Sequence, residues 1–121
     1  MGITIQHAKR PAGLETYMNL DLGATGVLII GTTAAIYDYY IRNNATAVRY
    51  IKFYDKGTAP TVGTDTPLRV IGIPATGAAN LFIAEGIKFS SGIGIGAVTT
   101  VANNSTTAPS TNDVVVNIGY R

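Results

Sequence analysis

The chain has no cysteine and no tryptophan, a single histidine, and charged side chains at only 13% of its 121 positions. Without thiols there is no disulfide framework, no thiolate metal site and no cysteine nucleophile, and the redox compartment is left open. A chain of this length makes one domain, not two. Such a domain buries roughly two-thirds of the surface exposed when unfolded, so it can build a core without a covalent or metal staple. The formal net charge is +2, and no basic run is longer than Lys9-Arg10. That is too little and too scattered for a nucleic-acid partner. No apolar run approaches the ~18 residues of a membrane span. The opening MGITIQHAKRPAG places its charges after its apolar residues, which is not the order of a secretory leader, and Gln6 stands where a myristoylation pattern needs Ser or Thr. Neither a membrane nor a nucleic acid is therefore expected as a partner.

What is present is apolar and small. Hydrophobic residues make up 46% of the chain, and Thr, Asn, Gly and Ala stand where Lys and Glu usually cover a surface. Lys and Glu lose much side-chain entropy when buried and are depleted at the centres of interfaces. A surface poor in them is easily covered by a partner.

Residues 1–22 read as an N-terminal arm and 23–121 as a single β-domain. The arm contains Pro11 and Gly13 and no sustained period. Leu14, Tyr17 and Met18 have the spacing of one helical turn, but an extended arm fits the segment equally well. Ile3 and Ile5 alternate with Thr4, a pattern suited to adding an edge strand to a neighbouring sheet. Beyond the arm, period-two patterns with aromatic and β-branched residues predict strands near 25–30, 33–42, 46–55, 68–73, 79–90, 93–101 and 112–120. In the second of these, Ile36, Asp38 and Tyr40 share one face and Tyr37, Tyr39 and Ile41 the other. KGTAPTVGTDTP, with two prolines, and NNSTTAPSTND, which lacks an apolar anchor, read as loops. The fold class is all-β: an antiparallel sandwich, jelly-roll-like, with an N-terminal arm.

Few constellations could carry chemistry. His7 stands in the arm with no metal-ligand spacing around it. Glu15, Asp21, Asp38, Asp55, Asp65, Glu85 and Asp113 are dispersed, and a carboxylate pair of the glycosidase kind has no local signature. Asp55 and Asp65 read as turn residues that accept backbone N–H groups. Gly92-Ile93-Gly94-Ile95-Gly96-Ala97 matches a dinucleotide fingerprint, but AVTTVANN follows instead of a helix, so the glycines read as places where another backbone comes close. Asn44-Ala45-Thr46 and the overlapping sites at Asn103 and Asn104 match the glycosylation acceptor pattern and read as chance in an Asn- and Thr-rich chain. No catalytic residue, metal site or cofactor is expected, and the chain reads as a non-enzyme. The candidate contact residues are Ile3, Ile5, Lys9, Arg10, Tyr17, Tyr37, Tyr39, Tyr50 and Tyr54. Tyrosine offers large contact area at low entropy cost.

The block AVRYIKFYDKGTAPTVGTDTPLRVIGIPA, residues 47–75, resembles small structural proteins of tailed bacteriophages. The stretch EGIKFSSGIGIGAVTTVANNSTTAP and the ending DVVVNIGYR carry the same texture, so the resemblance spans about residues 25–121 and leaves the arm uncovered. It implies a virion protein on the capsid surface: a decoration (cement) protein that bridges neighbouring major capsid subunits, jelly-roll-like and a homotrimer. Two other readings stand beside it. One is a tail, head-fibre or receptor-contact module that binds host glycan through exposed tyrosines, and the other is a small hydrolase.

Overall fold

The computed structural model describes residues 13–121. Eight strands follow in order: β1 (Glu15–Asn19), β2 (Val27–Ile30), β3 (Ala34–Asn43), β4 (Arg49–Asp55), β5 (Arg69–Ile73), β6 (Ala78–Phe89), β7 (Ile93–Val98) and β8 (Val114–Tyr120). They form two antiparallel four-stranded sheets, in the orders β1-β8-β3-β6 and β2-β7-β4-β5. Strands alternate between the sheets from β1 to β4, β5 stays beside β4, and after β6 the strands β7 and β8 return to the centres beside β2 and β1. This is the jelly-roll form of the β-sandwich. The expected fold class is the one observed, and each strand expected from 25 onward is present, most of them a few residues shorter than drawn.

The core lies between the sheets. Ile36, Tyr39 and Ile41 from β3 and Val114, Val116 and Ile118 from β8 meet Ile51 and Phe53 from β4 and Ile93, Ile95 and Ala97 from β7. Phe53 is the hub, with ring centroids 6.4 Å from Tyr39 and 6.3 Å from Phe89. Each fully buried Ile or Phe contributes roughly 1.5–3 kcal/mol of apolar burial. The sheets are also bridged by the Arg49 guanidinium on Asp113, 3.2 Å, at a mostly covered margin.

Two expectations are corrected. The boundary drawn at 22/23 falls too late. Residues 15–19 are a strand, paired from Glu15↔Tyr120 to Asn19↔Val116, and Leu22 is buried in the core. Tyr17 turns inward while Met18 is exposed, which is the alternation of a strand and not a helical turn. The period is short because β1 lies at a sheet edge and needs only one apolar anchor per face. The alternation expected in β3 also fails: Ile36 and Ile41 are both buried, five positions apart. A bulge at Tyr37 explains this, since Ile36↔Tyr120 is followed by Asp38↔Gly119. One extra residue on β3 reverses which parity faces the core. The β6 side of the same site shifts as well, between Ile36↔Ile87 and Asp38↔Phe82, and Gly86 there has φ +80°, the left-handed region that glycine tolerates.

Candidate interaction surface

The outer faces of the two sheets differ. On the β2-β7-β4-β5 sheet, the loop of residues 56–68 folds back across the strands. Pro60 lies on Gly94 and Val62 on Gly96: a methyl group added at either glycine would come within 2.8 Å of Pro60 or 2.7 Å of Val62. Tyr54, Val62 and Val98 form a second small core under this roof, with Ala24 and Tyr50 against it. The glycines of GIGIGA are thus spaced for a covering loop on the face opposite the main core, and no helix follows them.

The loop itself is tied by carboxylates. Asp65 accepts the Lys56 ammonium at 2.7 Å and the Thr61 N–H at 2.8 Å, and these contacts, the lysine first, hold its carboxyl below the usual range. Asp55 accepts the N–H groups of Ser91 at 2.8 Å and Ser90 at 3.1 Å and is lowered by them. Asp21 and Asp113 likewise accept the N–H groups of Asn112 and Ser110. Four of the dispersed carboxylates are therefore occupied in fastening turns.

Lys52 lies under the same roof. It is fully buried, and its ammonium donates to the Ala102 carbonyl at 2.7 Å; that carbonyl also accepts the Ser105 N–H at 3.0 Å. The 99–113 loop, which has no apolar anchor in its sequence, is pinned to the sheet by a lysine instead. Burial lowers the Lys52 pKa. Burial also raises the neighbouring Tyr54 hydroxyl, with the Asp65 charge second. The buried hydroxyls of Tyr54 and Ser105 have no protein hydrogen-bond partner among the described residues. Asn43 is the buried last residue of β3. Its amide donates to the carbonyls of Ala47, Ile73 and Pro74 and accepts the Ala45 N–H, which shapes the 44–47 turn and fixes it to β5.

The β1-β8-β3-β6 sheet carries no such roof. Its register lays out two rows across the outer face: Met18, Asn117, Tyr40 and Asn80, then Thr16, Gly119, Asp38 and Phe82. The Asp38 carboxylate lies over Gly119. Large apolar side chains stand open here, with Met18 60%, Leu20 62% and Phe82 71% exposed. Tyr37 packs over Gly86, and the Arg121 guanidinium lies 5.6 Å from its ring centroid, within cation–π range.

The candidate contact residues are scattered by this geometry. Ile3, Ile5, Lys9 and Arg10 lie outside the described residues, as does His7. Tyr17 faces the core at the sheet edge, and its hydroxyl accepts from Asn19 at 2.9 Å. Tyr39 is buried in the main core and Tyr54 in the small one, so neither meets a partner. Their strands are central: Tyr39 points from β3 into the space between the sheets, and Tyr54 lies on β4 under the roof. Tyr37 and Tyr50 are half-buried on different sheets. The tyrosines therefore do not assemble into one aromatic platform. Met18 and Tyr40 in one row, Phe82 in the next and Leu20 just past β1 are the large apolar side chains exposed here, and they are not among those candidates. One signal was there: no charged residue occurs between Arg69 and Glu85, a stretch too long to be all core.

Among the described residues no group of three or more His, Asp or Glu side chains is placed to hold a metal ion, and no helix is long and apolar enough to cross a membrane. No family model, curated protein or solved structure matches the chain.

Proposed function

We propose that this chain is a structural protein of a virion, a decoration protein that sits on the capsid surface and bridges neighbouring major capsid subunits. The observation that carries the reading is the unequal treatment of the two sheets. One is roofed by the chain's own loops; the other presents Met18, Leu20, Tyr40 and Phe82 to the outside with little charge among them. Apolar side chains grouped on one face mark a contact site. The residue-level resemblance of 47–75 to phage structural proteins favours the same reading. So does the eight-stranded jelly roll, an architecture common among viral capsid domains, although a fold alone assigns no function. A protein that binds only the assembled shell shifts the equilibrium toward assembly by mass action, and such a part needs contact area, not a catalytic group. The chain is proposed to act as a homo-oligomer, a trimer.

The test is decoration of purified capsids by the recombinant chain. Saturable co-sedimentation, with capsids that resist heat or denaturant better when decorated, is the expected result. Loss of binding in the Met18→Asp/Phe82→Asp double variant would place the contact on the open sheet. Capsids that neither bind the chain nor gain stability would refute the reading.

A further inference from the structure

The two sheets have four edges, and one is unlike the rest. Among the described residues β6 pairs only with β3. At 12 residues it is the longest strand, against 4 or 5 residues for the other edge strands β1, β2 and β5. A free edge is a template for another strand, and proteins ordinarily blunt it with charge, proline, a bulge or shortness. β6 is blunted over half its length only. Its later half carries Glu85, Lys88 and the left-handed Gly86, and the register shift lies beyond Phe82. Residues 78–82 pair with β3 in unbroken register and carry no charge and no proline.

Backbone and side chain both leave this half open. The Asn43 N–H donates to the Gly77 carbonyl at 2.8 Å, so Gly77 turns its polar groups toward β3. Alternation along an antiparallel strand turns those of Ala79 and Leu81 the same way, and those of Ala78, Asn80 and Phe82 toward the free edge. Ala79 and Ile83 pack against the core, and Leu81 shares their face by the period of two. Leu81 is nevertheless 42% exposed, since among the described residues no strand lies beyond β6 to cover it. These features suit a second copy of the same strand. Set antiparallel about a two-fold axis at Leu81, the edge places Asn80 opposite Phe82 of the other copy, Ala79 opposite Ile83, and Leu81 opposite itself. Asn80 and Phe82 then exchange N–H and C=O groups on both sides of the axis. Leu81 falls at a non-hydrogen-bonded position, where opposed side chains come closest. In both flanking pairs a small side chain faces a large one. The uncharged stretch through residues 70–84 brings no like charges together. On the outer face Phe82 continues the row of Asn80, Tyr40, Asn117 and Met18, so the open surface runs from one copy into the other.

We propose that residues 78–83 of β6 pair antiparallel with the same residues of a second copy, about a two-fold axis at Leu81, and join the two copies' open sheets into one. The two surfaces are identical, so the contact is isologous and closes at a pair. It is a different contact from that of the proposed trimer and goes beyond that reading: it joins copies, or trimers, two by two. A segment this short lies at the weak end of specific interfaces, below about 1,200 Å² of buried surface, so association in the micromolar range is expected.

The experiment uses the full chain in solution and needs no capsid, so its failure is distinct from failure of the decoration reading. The chain has no cysteine, so single introduced cysteines report the register, with oxidised glutathione as the oxidant. Leu81→Cys is expected to give a disulfide-linked dimer, because opposed residues at that position bring their Cα atoms to about 4.5 Å, within disulfide reach. Ala79→Cys and Ile83→Cys should each stay uncrosslinked alone, since each lies about 14 Å along the strand from its own copy. An equal mixture of the two should crosslink. Without oxidant, sedimentation velocity at high micromolar concentration should show the wild type associating. Asn80→Pro removes an edge-facing N–H and spares the ladder to β3, and it should associate about tenfold more weakly, as for loss of a central interface contact. If circular dichroism shows Asn80→Pro misfolded, Leu81→Lys replaces it, setting like charges opposite one another. A monomeric wild type overturns the proposal. So does crosslinking of Ala79→Cys alone that matches Leu81→Cys. A monomeric wild type whose Asn80→Pro variant still loses capsid binding would give the edge to a strand of the shell instead.

Discussion

The two outer faces of this sandwich carry similar side-chain types and are treated in opposite ways. Over β7 and β4 the chain places small residues, Gly94 and Gly96, so that Pro60 and Val62 can lie on the backbone, and it buries even a lysine beneath the cover. Over β8 and β3 it places Asn117, Asp38 and Tyr40 and leaves them to the outside. The loops that could roof a sheet are both spent on one side. The difference teaches that an exposed Phe82 or Met18 is a property of a face kept open, since the same chain covers the middle of the other face, over β7 and β4, and leaves Leu28 and Val70 at its edges partly open.

That comparison can be broken at the roof. Gly96→Val sets a branched side chain where Val62 now sits, and Val62 must move or the strand must shift. Overpacking of this kind should cost about 3 kcal/mol, read as a lower denaturation midpoint with an unchanged m-value. Asn117→Val, the matching change on the open sheet, should shift stability by less than about 0.5 kcal/mol and should raise the tendency to associate. Equal losses at the two positions would mean that the faces are not different in kind.

Lys52 sharpens the same point. Its ammonium is out of water with a carbonyl for a partner, so Lys52→Met, similar in length and apolar, should stabilise the fold by about 1 kcal/mol, measured by urea denaturation. The pH dependence follows from the direction of the shift. The folded-state pKa lies below the unfolded one, so between the two values the unfolded chain binds more protons and stability rises with pH. The wild type should gain stability as pH climbs toward 10.5, the ordinary lysine value, and the Met variant should lose that gain. A wild-type profile flat through this window contradicts burial of the charged amine.

Asp55 gives a small effect: its substitution destabilises where Lys52→Met stabilises, although stability rises with pH in both cases. The Ser91 and Ser90 N–H groups lower its folded pKa, so its contribution is present above the unfolded value near 3.8 and is lost as pH falls through the folded value. Asp55→Asn should cost under about 1 kcal/mol at neutral pH, as for a hydrogen bond to an exposed charge, and should flatten the acid limb of the stability profile.

The strands from Val27 onward could be read in the sequence because period-two alternation and Gly- or Pro-rich breaks are local signals. The jelly-roll order follows from no local signal, and neither do the bulge at Tyr37 and the strand at residues 15–19. A bulge reverses the inside–outside parity without changing composition, and β1 shows only Tyr17 and Met18 as its alternation. Tyr39 and Tyr54 were drawn toward an interface because aromatic content was read without knowing that β3 and β4 are central in their sheets. The roof was invisible for a related reason: Pro60 and Val62 read as loop residues until Gly94 and Gly96 are placed beneath them. The open surface left one trace, the uncharged stretch through residues 70–84, which marks β6 but cannot say which side of it faces out.

The central claim is that the β1-β8-β3-β6 face, with the adjoining edge of β6, is the surface this protein uses. Hydrogen–deuterium exchange compares the free chain with the chain on decorated capsids. The claim predicts new protection at residues 14–20 and 78–84, with residues 56–68 and 99–113 unchanged. Protection confined to those two loops, with β1 and β6 exchanging as in the free chain, would contradict it.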